Sequence, residues 1–262
     1  MSYTNIELEV NAGVCTIWLN RPEVHNAMNA EMIAEIVDAV QKADGMDEAR
    51  YVIIRGRGKS FCAGADLNYM KGIAKFGLEE NYQEGLKLDK FFNVIYTCSK
   101  PTIAIVHGAA IGGANGLLAA CDIVFCMDAT KFAFSEVKLG IAPATISPYV
   151  CKRIGEYSAR DLMVTGRRFL GKEAESCGLV NKSFDTEEAL DEQLAFTHKM
   201  LMSSGPAAMG ATKVLINNLY NKYSFEESID YTARLIAELR ASDEGQEGMA
   251  SFLEKRKPRW NE

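Results

Sequence analysis

Positive charge is the scarcer kind in this chain of 262 residues: 29 Lys and Arg stand against 35 Asp and Glu, a formal net charge of −6 at pH 7. A nucleic acid is therefore excluded as the main partner, because phosphate backbones are bound by a clustered positive surface. Any anionic ligand must be met by local groups. No segment reaches the roughly 18 consecutive apolar residues that mark a membrane span. The opening Met1–Val10 has no basic stretch followed by an apolar run, so no membrane partner and a cytoplasmic location are expected. Histidine occurs three times, at His25, His107 and His198, spaced too widely to frame a catalytic triad or a metal site. The seven cysteines (Cys15, Cys62, Cys98, Cys121, Cys126, Cys151 and Cys177) include no CxxC pair. Neither a disulfide framework nor a zinc site has support, and reduced thiols with no bound metal are expected.

What is present is a soluble globular balance, 48% hydrophobic and 24% charged, over a length that accommodates one large domain or a main domain with an appendage. Ile6–Glu9 and Val14–Leu19 flank a turn at Asn11-Ala12-Gly13 and predict a hairpin. Met32, Ile33, Ile36, Val37 and Val40 recur at helical spacing within residues 30–43. Short apolar runs then follow at Tyr51–Ile54, ending at Gly56, and at Pro101–Val106, ending at Gly108. Each leads into small residues, Phe61–Asp66 and Ala110–Asn115, and then into an apolar helical pattern, a unit repeated about 50 residues apart. Ile123–Phe125 and Lys131–Phe134 extend the series, which predicts a right-handed spiral of strands and helices. Beyond Asp185 only helical patterns occur, as at Tyr231, Leu235, Ile236 and Leu239. The expected division is a core with the active site at 1–200 and a helical region at 201–262.

The glycine-rich loops carry the chemistry. Gly112-Gly113 precedes the apolar helix expected at Leu117–Ala120, so its N–H groups are unpaired helix-start donors at the positive end of the macrodipole. Small side chains there and at Ala63, Gly64 and Ala65 let a ligand oxygen approach the backbone closely. Two such loops aiming one N–H each at a single carbonyl oxygen would form an oxyanion hole. On the pattern alone, tight helix–strand packing explains the glycines equally well. Gly108–Gly116 holds neither GxGxxG nor a GK[ST] ending, which argues against a nucleotide-phosphate loop.

Six motifs in order resemble one family over nearly the whole chain. They are Leu19-Asn-Arg-Pro22 with Asn26-Ala27, Phe61–Leu67, His107–Gly113, Cys121-Asp122-Ile123, Phe134-Ser-Glu136 with Leu139-Gly140 and Pro143, and Phe252–Arg256. Together they are similar to the crotonase (enoyl-CoA hydratase/isomerase) superfamily. The resemblance implies an α/β fold with a ββα spiral core and a helical C-terminal trimerisation region, as a homotrimer or homohexamer. It also implies an acyl-CoA substrate of the kind met in fatty acid metabolism and no separate cofactor, CoA being part of the substrate. The enolate would be held by the N–H groups of Ala65 and Gly113. By the same resemblance CoA would lie along Val24, Ala27, Ala63, Gly64, Ala65, Asp66 and Leu67.

Hydratases of this family usually carry two glutamates; here the second is Glu136 and the first position is Gly116. One carboxylate suffices to take a proton from one carbon and return it to another, the chemistry of an isomerase. Hydration would need Glu136 as both base and acid, or a water held by Asn115, Tyr149 or Asp66. Against that, Glu136–Tyr149 resembles the segment of enoyl-CoA hydratase-like proteins acting on methylglutaconyl-CoA. Hydration by a lyase thus ranks first, isomerisation second, and another enolate reaction such as decarboxylation remains open. Asp66 is expected to be a helix N-cap, Cys62 a packing residue, and Lys255, Arg256 and Arg259 either a solubilising tail or a contact to CoA phosphates. The pocket itself is expected to be lined by Tyr69–Phe92, read as a loop-like stretch, and by the C-terminal helices.

Overall fold

In the computed structural model, which describes residues 3–261, burial alternates along Val14–Leu19, where Cys15, Ile17 and Leu19 are fully buried. This is β2, and it pairs antiparallel with β1 (Ile6–Asn11) from Ile6 opposite Leu19 to Asn11 opposite Val14. The two-residue turn needs left-handed backbone, supplied by Ala12 (φ 47°) and Gly13 (φ 80°). Asn29 then caps α1 (Ala30–Asp44) by accepting the Met32 N–H, and the helix buries Met32, Ile33, Ile36 and Val40 as their spacing predicts.

Further strands follow at β3 (Tyr51–Gly56), β4 (Thr102–Val106), β5 (Ala109–Ile111), β6 (Ile123–Met127), β7 (Lys131–Ala133), β8 (Arg168–Leu170) and β9 (Lys182–Phe184). A six-stranded sheet has the order β1-β2-β3-β4-β6-β9, parallel after the opening hairpin. Its central strand β4 is buried along its whole length, as a parallel strand covered on both faces must be. A smaller sheet, β5-β7-β8, forms a second layer. The chain passes from a strand of the large sheet to one of the small sheet and then to a helix, which is the ββα spiral.

The helices are α2 (Leu67–Ile73), α3 (Leu78–Thr97), α4 (Gly113–Ala120), α5 (Ser147–Thr165), α6 (Gly171–Ser176), α7 (Glu187–Ser203), α8 (Pro206–Asn221), α9 (Phe225–Ala241) and α10 (Asp243–Glu254). Two expectations need correction. The helix after the second glycine loop starts at Gly113 and not at Leu117, and Tyr69–Phe92 lies largely in α2 and α3. Scattered charge hides the helical period in α3, whose Phe91, Phe92 and Ile95 are nonetheless buried. Position 200 falls inside α7, whose Leu190 joins Tyr51, Ile53, Ile103, Ile105, Phe125 and Phe184 in a cluster under the large sheet. No helix is long and apolar enough to cross a membrane among the described residues.

The histidines have structural partners: His107 Nε2 lies 2.9 Å from the Gly58 carbonyl oxygen and His198 Nδ1 lies 3.0 Å from the Tyr51 hydroxyl. Asn26 staples two loops near the glycine run. It is fully buried at φ 56°, accepts the Arg21 N–H at 2.8 Å, and donates to the carbonyls of Arg57 and Ser60, each at 2.8 Å. Asn26→Ala strands these backbone groups and puts alanine in left-handed backbone. A loss of about 3 kcal/mol or more is expected, measured as the shift in urea unfolding.

Candidate active site

The small sheet thins toward the glycine loops. On the edge of β5 away from β7 it is reduced to a single bridge between Cys62 and Ala110, and the next contact is one bridge between Met28 and Ala65. Cys62 N–H donates to the Ala109 carbonyl at 3.0 Å and Ile111 N–H to the Cys62 carbonyl at 3.1 Å, which sets the two loops side by side. Gly64 (φ 96°) permits this approach: a Cβ there would stand 2.9 Å from the Ile111 carbonyl oxygen. A strand reduced to single bridges leaves outward N–H groups without ladder partners. Among the described residues, neither the Ala65 nor the Gly113 N–H donates to a protein acceptor. Gly113 is the first residue of α4, so its donor also carries the helix-start dipole.

Glu136 reaches the same place from the third turn of the spiral. It sits in a short 3-10 turn, Ser135–Leu139, that leaves β7, and Phe132 and Phe134 anchor the approach by stacking on Phe169 at 5.5 and 6.0 Å. A Cβ on Gly112 (φ 56°) would lie 3.3 Å from Glu136 Oε1, so the carboxylate lies against the second glycine loop. Glu136 Oε2 is buried and has no hydrogen-bond partner among the described residues. Burial raises the Glu136 carboxyl above its ordinary value, and its own N–H offsets this only in part.

Gly116, the position of the missing glutamate, faces an apolar wall. A Cβ there would come within 2.3 Å of Ile146 Cγ2 and 2.8 Å of Phe92 Cε1. Both wall residues are buried, and Phe92 packs against Phe91 and Tyr149 with ring centroids 4.9 and 5.9 Å apart. The space a carboxylate would take is thus occupied by hydrocarbon. Neither Ile146 nor Phe92 was singled out by sequence reasoning, because nothing in the spacing says which side chains close over a helical glycine.

The three stand-ins for that glutamate are differently placed. Asp66 caps α2, accepting from the Asn68 and Tyr69 N–H groups at 2.8 and 3.2 Å, and pairs with Arg21 at 3.0 Å. Burial pushes its carboxyl up, but the hydrogen bonds from Tyr69, Asn68 and Arg21 outweigh this and hold it below the usual range. Tyr149 packs between Phe92 and Tyr96. Asn115 is fully buried and donates from Nδ2 to the Ala133 carbonyl at 2.9 Å.

The two stretches tied to CoA do meet. Met28 N–H donates to the Gly64 carbonyl at 2.7 Å, Asp66 N–H to the Met28 carbonyl at 2.9 Å, and Ala63 N–H to the His25 carbonyl at 3.0 Å. Ala63, Ala65 and Leu67 are exposed along this seam, Val24 is half-buried and Ala27 is buried. In the C-terminal tail, Arg256 and Arg259 both pair with the buried Glu247, at 2.6 and 3.3 Å, so their charge is met within the chain. Cys62 is wholly buried and its thiol is pushed up to about 12 by burial, which suits packing and not nucleophilic attack. Among the described residues no group of three or more His, Cys, Asp or Glu side chains could hold a metal ion.

Known proteins resemble this chain over its full length. An enoyl-CoA hydratase from Shewanella pealeana superposes with a TM-score of 0.94 at 35% identity, covering 98% of this chain and 96% of that one. The crotonyl-CoA hydratase of Syntrophomonas wolfei is 34% identical over 259 residues, 98% of each chain. The peroxisomal Delta(3,5)-Delta(2,4)-dienoyl-CoA isomerase of Arabidopsis thaliana is 30% identical over 272 residues, 99% of this chain and 98% of that protein. The family model described as Enoyl-CoA hydratase/isomerase matches residues 9–262, and with the spiral and its paired glycine loops in place the chain belongs to that family.

Proposed function

We propose that this protein is a lyase that hydrates the double bond of a 2-enoyl-CoA thioester, with Glu136 as its one acid–base carboxylate. The observation that supports this is a buried carboxylate, Glu136, lying against Gly112, directly before the Gly113 N–H, which like the Ala65 N–H has no protein acceptor among the described residues. The thioester oxygen accepts from Ala65 and Gly113. Ionised Glu136 takes a proton from water as the water oxygen bonds to Cβ, and the electron pair of the double bond moves onto the thioester oxygen as an enolate. Glu136, now protonated, returns that proton to Cα on the same face, so one water adds across the bond. Each donor is worth about 3 kcal/mol in such a transition state.

In this reading CoA enters as part of the substrate, along Val24, Ala27 and Ala63–Leu67, and no separate cofactor is used. The resemblance of Glu136–Tyr149 to methylglutaconyl-CoA hydratase-like proteins favours a branched acyl group of that type, within fatty acid and branched-chain metabolism. We place the protein in the cytoplasm as a homotrimer or a pair of trimers. The exposed Phe225, Ile229 and Ile236 of α9, a helix with no buried residue, support association through the C-terminal helices.

A second reading is favoured by the wall over Gly116. With hydrocarbon where a second carboxylate would stand, Glu136 can instead carry a proton between two carbons of a 3-enoyl-CoA, and a dienoyl-CoA isomerase is among the relatives.

Incubation with crotonyl-CoA, 3-methylglutaconyl-CoA and a 3-enoyl-CoA in heavy-oxygen water separates the two. Label is expected in a 3-hydroxyacyl product, with kcat lowered about 10²–10⁴-fold in Glu136→Gln; migration of the double bond without label would overturn hydration. Because the base must be ionised, the acid limb of kcat/KM is expected above the ordinary 4.5 of a glutamate. The raised carboxyl binds its proton more tightly folded than unfolded. It thus supports the fold below the unfolded pKa, and this support is lost as pH rises through the folded pKa. Glu136→Gln is therefore expected to unfold at higher urea than the parent at pH 7. Gly116→Glu forces a side chain into Ile146 and Phe92, for an expected loss of about 1–3 kcal/mol. Adding Ile146→Ala should recover part of it in the same assay.

A further inference from the structure

The second glycine loop and the Glu136 turn converge on one atom. The Ala133 carbonyl oxygen accepts the Gly112 N–H at 2.9 Å and Asn115 Nδ2 at 2.9 Å. The first bond alone satisfies that carbonyl, so the second is not needed to avoid a stranded acceptor. Yet the residue that makes it is an unlikely occupant. Asn115 is fully buried, sits in a helix otherwise made of Gly, Ala and Leu, and leaves its Oδ1 without a partner among the described residues. Asparagine is a poor helix former, and a buried unfilled acceptor is unfavourable. Leucine would suit both the helix and the core. The bond to Ala133 is what asparagine adds.

We propose that Asn115 is a positioning residue: by clamping the Ala133 carbonyl it fixes the Glu136 turn relative to the Gly113 N–H. The inference rests on the site chemistry given above and extends it. Ala133 lies three residues before Glu136, and Gly112 lies directly before Gly113. The base and one oxyanion donor are thereby tied together through a single peptide oxygen. They must act on neighbouring atoms of one thioester, where a displacement of about 1 Å can cost 10²-fold in rate. With donors arriving from both the loop and the first turn of α4, the turn cannot rotate without breaking one of them.

The Glu136 carboxyl offers a gauge of this clamp. Burial, and no neighbouring charge, holds it above its ordinary value, so its titration follows how closely the turn is shut. The variants are Asn115→Leu, which keeps the branched outline, is somewhat larger and removes the donor, and Asn115→Ser, smaller and able to fold if leucine is not tolerated. Each is examined by kinetics on crotonyl-CoA and by infrared titration of the Glu136 carboxyl in the unliganded protein, assigned by difference from Glu136→Gln. The expected result is kcat about 10- to 100-fold lower with KM within about threefold, and the carboxyl titrating nearer 4.5. A folded variant with unchanged kcat or an unmoved carboxyl titration overturns the proposal. If the parent protein turns over no enoyl-CoA, the proposed function fails, while the infrared titration still decides whether Asn115 holds Glu136 in place.

Discussion

The pairing of Cys62 with Ala110 sets everything that follows at the site. Two backbone hydrogen bonds, Cys62 N–H to Ala109 and Ile111 N–H to Cys62, bring the first glycine loop against the second. A longer ladder would have bound the loops more firmly, but it would also have used the N–H groups of the residues beyond. Stopping the sheet at one bridge leaves the N–H groups of Ala65 and Gly113 without protein acceptors among the described residues. The constraint is geometric: donors on separate turns of the spiral can converge only if Gly64 lets the backbones come within reach of each other.

Rigidity elsewhere makes this pattern tolerable. The large sheet is covered by α1 and α3 on one side and by α7 on the other, and nearly every strand residue that faces inward is apolar. Asn26, buried and hydrogen-bonded to three backbone groups, locks Arg21–Met28 to the loop after β3. Asp66 does the same for the start of α2. Four buried polar side-chain atoms lack a partner among the described residues, and two of them, Glu136 Oε2 and Asn115 Oδ1, lie where the turn after β7 meets α4. Those two suit a site built for a transient charge, whose polar atoms wait unsatisfied until the substrate arrives.

The spiral and the glycine loops were legible in the sequence because their causes are local. Tyr51–Ile54 and Thr102–Val106 read as strands from apolar runs closed by glycine, and α1 from its period of buried residues. Asp66 as a cap followed from its place after the small-residue run, and Cys62 as a packing residue from the lack of a nearby histidine or orienting acid in the sequence. The start of α4 was misplaced by four residues, since Gly113, Ala114, Asn115 and Gly116 carry no hydrophobic period. Phe92, Ile146 and the second bond to Ala133 were illegible for a different reason. Each depends on which segments meet across the spiral, a fact of tertiary packing that no spacing within 11–18 residues records. The role of Glu136 came through family resemblance, and its burial beside Gly112 only through the fold.

The filled space over Gly116 bears on how one carboxylate manages an acid and a base step. Two carboxylates in a site this dry would repel, and one would stay protonated near neutral pH. A two-carboxylate site exploits that split by assigning a separate acid. With Ile146 and Phe92 in place of the second group, Glu136 is raised by burial alone, and ionisation costs it only desolvation. In the proposed reaction the proton Glu136 removes is then the only one at hand to return, which requires both steps to occur on its own face of the substrate. The hydrocarbon wall offers no polar group to hold a water on the Gly116 side. Water, in the hydration reading, must be held from the Glu136 side, so the reaction's outcome hangs on the placement of that single side chain.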